Sequence, residues 1–161
     1  MKLSALYQIF LDCQSVTTDS RNCPDGSLFI ALKGESFNGN AFAKLALDSG
    51  CAFAIIDEAE YAVEGDKRYI LVDNCLQTMQ QLANYHRRQL GTRVIGITGT
   101  NGKTTTKELI SSVLCQAHNV LYTLGNLNNH IGVPTTLLRL KPEHDLAVIE
   151  MGANHPGEIK F

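Results

Sequence analysis

The sequence predicts an α/β protein with mostly parallel sheets. Short apolar runs alternate with segments of helical spacing along the chain, and a glycine-rich loop at 96–105 lies between one such run and a helix. Because each helix returns the chain to the starting end of the next strand, neighbouring strands in this pattern run parallel. We divide the chain into a small N-terminal α/β domain, 1–88, and a second unit, 89–161.

The first unit is predicted to open with an amphipathic helix that ends near Leu11. Apolar runs predict four strands, and helical spacing with a following glycine predicts two more helices. The strands are at 16–18, 28–32, 52–56 and 69–72, and the helices are at 41–48 and 76–90. The residues His86, Arg87 and Arg88 are predicted to be solvated, because basic groups at a helix end compensate the helix dipole.

The second unit is predicted to contain three strands and two helices. The strands are at 93–95, 120–122 and 146–149, one helix follows the glycine loop through 106–114, and the other spans 131–140. Pro134 fits only the first turn of that second helix. A further helix is predicted to begin at 158–161. Since this unit is short for a nucleotide-binding domain, we expect the chain to be the front part of a longer protein.

The composition excludes several classes of protein. A hydrophobic fraction of 44% with 19% charged residues is typical of a folded domain, and a net charge of −2 gives no basic face for nucleic acid. The five cysteines form no Cys-x-x-Cys pair, which argues against a zinc site or a disulfide framework and favours reduced thiols in the cytoplasm. We expect the N-terminal stretch to be an amphipathic helix and not a signal peptide, and no apolar run approaches the length of a membrane span.

The glycine-rich loop has the layout of a phosphate-binding loop. Its three glycines let the backbone curl around an anion, and the start of the following helix adds partial positive charge. Lys103 can reach the β- and γ-phosphates, and the hydroxyl of Thr104 can bind Mg²⁺. We therefore predict that the protein binds a nucleoside triphosphate. Because the general motif has glycine where this chain has Ile97, the alternative is a glycine-rich turn with a solvated lysine.

Several polar residues follow the later strands. Glu150 ends an apolar strand, where it can hold Mg²⁺ opposite the phosphate loop or merely cap the next turn. The amides of Asn126, Asn128 and Asn129 can orient phosphate or substrate, although asparagine is also common in turns. His155 can contact substrate or be solvated. These residues are therefore candidates, each with a structural alternative.

Separated motifs in this chain resemble the Mur ligase family, and the resemblance covers nearly the whole sequence. The matching segments are 19–21, 26–34, 37–39 and 96–105, followed by 125–129 with 131–134, and 150–159. The loop at 96–105 indicates the family alone. The last two segments are similar to the branch that joins D-alanyl-D-alanine to UDP-N-acetylmuramoyl-tripeptide.

The resemblance implies a UDP-substrate domain followed by the first part of an ATPase domain of the P-loop type. It implies a monomeric, cytoplasmic enzyme of peptidoglycan synthesis that uses ATP and Mg²⁺. ATP phosphorylates the terminal carboxylate of the tripeptide, and the amine of D-alanyl-D-alanine then attacks the acyl phosphate. Phosphorylation is needed because a carboxylate is a poor electrophile, and catalysis then depends on positioning and on neutralising negative charge.

The resemblance also implies roles for particular residues. Those that line the triphosphate are Gly99, Thr100, Asn101, Gly102, Lys103, Thr104 and Thr105, and Thr104 and Glu150 are the Mg²⁺ ligands. The catalytic residues are Lys103, Glu150, Asn128, Asn129 and His155. The uridine nucleotide is bound by Thr18, Ser20, Arg21, Phe37, Asn38, Gly39 and Asn40.

This chain departs from the family pattern in two places. Family members often have Asp-Gly-His where this chain has Asn38-Gly39-Asn40, which affects the substrate contacts of that loop. The family also has a carbamylated lysine and a histidine for a second Mg²⁺ beyond residue 161, so we expect the 161 residues alone to be inactive. Two alternatives are a Mur ligase that adds a single amino acid and a nucleotide-binding module without catalysis.

Overall fold

The computed structural model describes residues 2–152, which form two compact units divided between residues 82 and 83. Each unit contains one parallel sheet with helices, so the predicted α/β class is confirmed. No described helix combines the length and the apolar character that crossing a bilayer requires.

The first unit is built on a four-stranded sheet in the order β1-β2-β3-β4. Every adjacent pair of strands is parallel. The central strands are buried on both faces, which explains why they read as continuous apolar runs in the sequence. The elements are α1 (Leu3–Asp12), β1 (Val16–Thr17), β2 (Leu28–Ile30), α2 (Ala43–Asp48), β3 (Phe53–Ile56), β4 (Tyr69–Leu71) and the first part of α3 (Cys75–Leu90).

The second unit is built on a three-stranded parallel sheet in the order β5-β7-β6. Its elements are β5 (Arg93–Ile97), α4 (Lys103–Leu114), β6 (Val120–Tyr122), α5 (Gly132–Leu137) and β7 (Leu146–Glu150). Leu121, Ala147 and Ile149 of this sheet form a hydrophobic core with Val133 and Leu140. Because Ile97 pairs with Glu150 and Tyr122 with Val148, the carboxyl ends of all three strands meet at one edge.

The bounds of several elements differ from the prediction. A 3₁₀ turn at Gly39–Phe42 precedes α2, and α5 ends at Leu137, three residues earlier than expected. Helix α4 begins at Lys103, directly after Gly102, whose left-handed backbone (φ 75°) ends the loop. The helix predicted at 158–161 lies outside the described residues.

The prediction that His86 is solvated is wrong. Its side chain is only 4% exposed, because the helical spacing from Met79 and Leu82 places residue 86 on the buried face of α3. Its Nε2 lies 2.9 Å from the carbonyl oxygen of Leu140. Burial lowers the pKa of His86 below its ordinary value, although the hydrogen bond to Leu140 opposes this shift.

Stability is therefore expected to decrease in mild acid. The pKa of His86 is lower in the folded state than in the unfolded state. The contribution of neutral His86 to the free energy of unfolding is therefore complete above pH 6.5 and is lost as the pH falls from there towards the folded pKa. Urea unfolding at pH 7.5 and pH 5.5 measures this change. The decrease is expected to be larger for the wild type than for His86→Gln, and equal decreases would contradict this account.

Candidate functional site

The loop after β5 ends in a sharply turned backbone. Gly99 and Gly102 have φ of 148° and 75°, and Gly102 is the N-cap of α4. A side chain at either position would strain the backbone, which is why glycine is required there. The loop thus leads directly into the first turn of a 12-residue helix, whose free N–H groups favour an anion.

Lys103 is the first residue of α4 and folds back over this loop. Its Nζ donates a hydrogen bond of 2.7 Å to the carbonyl oxygen of Gly99. An ammonium group is therefore held beside the loop by a single carbonyl. A phosphate bound in the loop would offer that ammonium a stronger, charge-assisted partner.

Glu150 is the last residue of β7, and its side chain is 1% exposed. Its Oε1 accepts hydrogen bonds from Thr104 Oγ1 at 3.0 Å and from Asn128 Nδ2 at 2.8 Å. The predicted metal ligands Thr104 and Glu150 are thus in direct contact. Glu150 ends β7, and Thr104 lies in the helix that follows β5, the strand that pairs in parallel with β7.

The second carboxylate oxygen of Glu150 gives a test of whether Mg²⁺ fits here. Glu150 Oε2 is buried and accepts no hydrogen bond from the residues that the structure describes. A buried carboxylate oxygen without a hydrogen bond is unfavourable, and Mg²⁺ with its water would be a partner of the right chemistry. Residues 2–152 contain no cluster of three or more His, Cys, Asp or Glu side chains that could hold a metal. The arrangement therefore fits a cation that takes most of its ligands from phosphate and water.

The asparagine-rich loop at 125–130 contributes to this site through Asn128. Besides its contact with Glu150, the backbone carbonyl of Asn128 accepts a 2.7 Å hydrogen bond from the N–H of Gly152. The neighbouring Asn129 uses its Oδ1 to accept hydrogen bonds from the N–H groups of Ile131 and Gly132, at the start of α5. The predicted roles of both residues in catalysis stay predictions, and His155 lies outside the described residues.

Two residues that the sequence motifs did not indicate, Lys107 and Thr123, are completely buried beside this site. The Nζ of Lys107 lies 2.8 Å from the carbonyl oxygen of Thr123 and 3.9 Å from Glu150 Oε2. The hydroxyl of Thr123 accepts a 3.0 Å hydrogen bond from the N–H of Glu150. The sequence did contain a signal for Lys107, namely its spacing. It follows Lys103 by four positions and Thr104 by three, which places all three residues on one face of the helix.

In the first unit, the predicted uridine-binding residues follow the carboxyl ends of two neighbouring parallel strands. Thr18, Ser20 and Arg21 come after β1, and the segment 37–40 follows β2. The Arg21 guanidinium is 87% exposed and makes a bidentate pair with Asp19. This pairing lowers the pKa of Asp19 to about 2. The pair leaves the outer face of Arg21 accessible.

The loop that carries Phe37 is fastened by buried polar groups. Asn40 is 1% exposed, and its Nδ2 donates hydrogen bonds of 2.8 Å to both Asn38 Oδ1 and Asp57 Oδ1. Its Oδ1 accepts a hydrogen bond from the N–H of Asp57. Gly39 packs against the backbone of Leu32, with no space for a Cβ atom. Asn38 and Asn40 thus hold the loop, whereas Phe37 is 56% exposed.

Replacing Asn40 with alanine is expected to destabilise the first unit by about 1–3 kcal/mol, because the buried carboxylate of Asp57 loses a donor and its N–H loses an acceptor. Chemical denaturation measures this loss. Asn22 is an exposed asparagine, so Asn22→Ala is the matched control and is expected to change stability by less than about 0.5 kcal/mol. An Asn40→Ala variant as stable as this control would contradict the assignment.

Two family models match the chain. The model described as "Mur ligase family, catalytic domain" matches residues 12–87, and the one described as "Mur ligase middle domain" matches residues 97–161. The chain is 46% identical over 147 residues to the UDP-N-acetylmuramoyl-tripeptide–D-alanyl-D-alanine ligase of Escherichia coli K12. This alignment covers 91% of the chain and 32% of that relative.

Solved structures show the same similarity. The structure of MurF from Acinetobacter baumannii has a TM-score of 0.85 at 37% identity, covering 98% of this chain and 37% of that one. MurF from Thermotoga maritima in complex with ADP has a TM-score of 0.81 at 31% identity, covering 93% of this chain and 34% of that one. The chain therefore spans about a third of the length of the relatives it matches.

Proposed function

Because this chain belongs to the Mur ligase family, we propose that it is the front portion of a cytoplasmic, ATP-dependent ligase that joins D-alanyl-D-alanine to UDP-N-acetylmuramoyl-tripeptide. The observation that carries the proposal is the 3.0 Å contact between Thr104 Oγ1 and Glu150 Oε1. It joins the start of the helix after the glycine loop to the only carboxylate that ends a described strand of this sheet. The E. coli relative supports this choice of substrate over a single amino acid.

The proposed reaction has two steps. A terminal carboxylate oxygen of the tripeptide first attacks the γ-phosphorus of ATP, which forms an acyl phosphate and releases ADP. The amine nitrogen of D-alanyl-D-alanine then attacks the acyl carbon, loses a proton and displaces inorganic phosphate, so that an amide bond remains. Both steps move negative charge between oxygens, and the role of the protein is to position the groups and neutralise that charge.

We assign the triphosphate to the loop after β5. The proposed contacts are made by Gly99, Thr100, Asn101, Gly102, Lys103, Thr104 and Thr105. The Lys103 ammonium exchanges the Gly99 carbonyl for phosphate oxygens and balances charge on the transferred group. Thr104 and Glu150 hold Mg²⁺, which when bound supplies further positive charge to the phosphates. The ADP complex of the T. maritima relative supports the nucleotide assignment.

We assign the uridine nucleotide to the loops after β1 and β2. Arg21 offers an exposed guanidinium to the diphosphate, and Phe37 offers an exposed ring to the base. Thr18 and Ser20 adjoin Arg21, while Asn38, Gly39 and Asn40 fix the position of Phe37.

Asn128, Asn129 and His155 are proposed to face the reaction centre. The matched segments 12–87 and 97–161 support a division into domains at 1–88 and 89–161.

The test is an assay of the full-length protein that contains this chain. Phosphate release from ATP is expected only when UDP-N-acetylmuramoyl-tripeptide, D-alanyl-D-alanine and Mg²⁺ are all present. Replacing the dipeptide with diaminopimelate or lysine, and the tripeptide with its dipeptide precursor, tests the single-amino-acid alternative. Nucleotide binding without turnover in every combination would instead indicate a binding module.

A further inference from the structure

Lys107 is a lysine whose side chain has no exposed surface. Lysine is almost never buried in this way without partners, because removing an ammonium from water is unfavourable. Its Nζ lies 2.8 Å from Thr123 O, 3.2 Å from Gly125 O and 2.7 Å from Glu108 Oε1. An ammonium has three N–H donors, so these three oxygens account for all of them.

Glu150 is a fourth neighbour of the same ammonium, but it lies beyond hydrogen-bonding distance. The 3.9 Å between Lys107 Nζ and Glu150 Oε2 is too long for a hydrogen bond but close enough for strong attraction in a buried site. Lys107 thus attracts this oxygen without engaging its lone pairs. Oε2 stays buried and without a hydrogen bond from the described residues, so it would be available to a cation.

Lys107 also reaches Glu150 through the backbone. Lys107 holds the carbonyls of Thr123, just before the asparagine-rich loop, and of Gly125, its first residue. Thr123 Oγ1 accepts a hydrogen bond from the N–H of Glu150, and Asn128 of the same loop donates to Glu150 Oε1. The path of this loop, and with it the orientation of the carboxylate, therefore depends on the lysine.

We propose that Lys107 is a positioning residue, which fixes the Glu150 carboxylate and the loop 123–128 so that Oε2 is presented to the cation of a metal–nucleotide complex. The inference rests on the nucleotide site proposed above. It differs from a role in stability alone, because buried ion pairs often add little to the free energy of folding. The distinguishing property is the dependence of nucleotide binding on Mg²⁺.

The first experiment measures ADP binding to the full-length protein by calorimetry at stepped Mg²⁺ concentrations. The Lys107→Met variant keeps the length of the side chain without its charge. In this variant, the Mg²⁺ concentration that gives half of the Mg²⁺-dependent change in ADP affinity (the concentration at half-effect) is expected to rise by roughly 10- to 100-fold. ADP affinity without Mg²⁺ is expected to change by less than about threefold, since Lys107 has no proposed contact with the nucleotide. Val133→Ala is the control, because it removes buried apolar atoms from the core of the same unit and changes no charged or hydrogen-bonding side chain.

The second experiment uses no metal. Hydrogen exchange at the N–H of Gly152, which donates to Asn128 O, is expected to be roughly 10-fold faster in Lys107→Met because the loop is no longer held.

Glu108→Gln is a milder variant for the Mg²⁺ titration, and it does not threaten folding, since the Glu108 side chain is 55% exposed. It is expected to raise the Mg²⁺ concentration at half-effect by about two- to fivefold.

The outcomes separate the two proposals. If wild-type protein does not bind Mg²⁺·ADP, the proposed function is wrong, and the exchange rates still test whether Lys107 holds the loop. If Lys107→Met and Glu108→Gln both keep the wild-type Mg²⁺ dependence, or if Val133→Ala shifts it equally, the positioning role is overturned. If Lys107→Met does not fold, the Glu108→Gln titration decides alone.

Discussion

Replacing Lys103 with methionine is expected to reduce the turnover number of the full-length enzyme by roughly 1,000-fold. In the structure the ammonium is held beside the loop by one 2.7 Å hydrogen bond to Gly99 O, so it is free to exchange that partner for phosphate. In the transition state, charge spreads over the oxygens of the transferred phosphoryl group, and a fixed ammonium stabilises it more than it stabilises bound ATP. The loss is therefore expected in kcat more than in the KM for ATP.

Steady-state release of phosphate measures this effect. Lys141→Met is the matched control, because Lys141 is exposed and pairs only loosely with Glu143, at 3.8 Å. The control is expected to retain wild-type turnover, and thermal unfolding should show that both variants fold. Near-normal turnover in Lys103→Met would remove the basis for assigning the triphosphate to this loop.

Replacing Glu150 with glutamine is expected to lower turnover by at least about 100-fold and to raise the Mg²⁺ requirement. The two side chains have nearly the same shape, so the amide can still accept the hydrogen bond that Thr104 now gives to Oε1. What is lost is the negative charge and the free carboxylate oxygen at Oε2. The variant thus separates the cation site from the shape of the strand end.

The measurement is turnover against Mg²⁺ concentration, with saturating ATP and substrates. Glu143→Gln makes the same chemical change at an exposed position and is expected to leave the curve unchanged. High Mg²⁺ should restore part of the activity of Glu150→Gln. A variant whose Mg²⁺ curve matched that of the wild type would show that Glu150 only caps the following turn.

The main features of this site could be predicted from the sequence because they are local. A glycine loop between a strand and a helix is contiguous, and its chemistry follows from neighbouring residues. Glu150 could be placed opposite it because parallel strands bring their carboxyl ends to one edge. The register of the two strands, however, could not be predicted. The structure shows that Ile97 pairs with Glu150 and not with a residue nearer the start of β7.

The contacts that could not be predicted join residues that are distant in sequence. The lysine at 107 reads as an ordinary helix residue until the carbonyls of Thr123 and Gly125 are placed beside it. Likewise, His86 reads as part of a basic helix end, and the hydrogen-bond partner of its ring, the carbonyl oxygen of Leu140, lies 54 positions later. Propensity and spacing describe one element at a time, whereas these environments are created when elements pack together.

The strand order β5-β7-β6 has a consequence for biosynthesis. The middle strand is the last of the three to leave the ribosome, and the two earlier strands have no hydrogen-bonded edge in common without it. The sheet therefore cannot close during translation until residue 150 has emerged from the exit tunnel. The glycine loop after β5 and the carboxylate of Glu150 can therefore come together only after β7 has emerged.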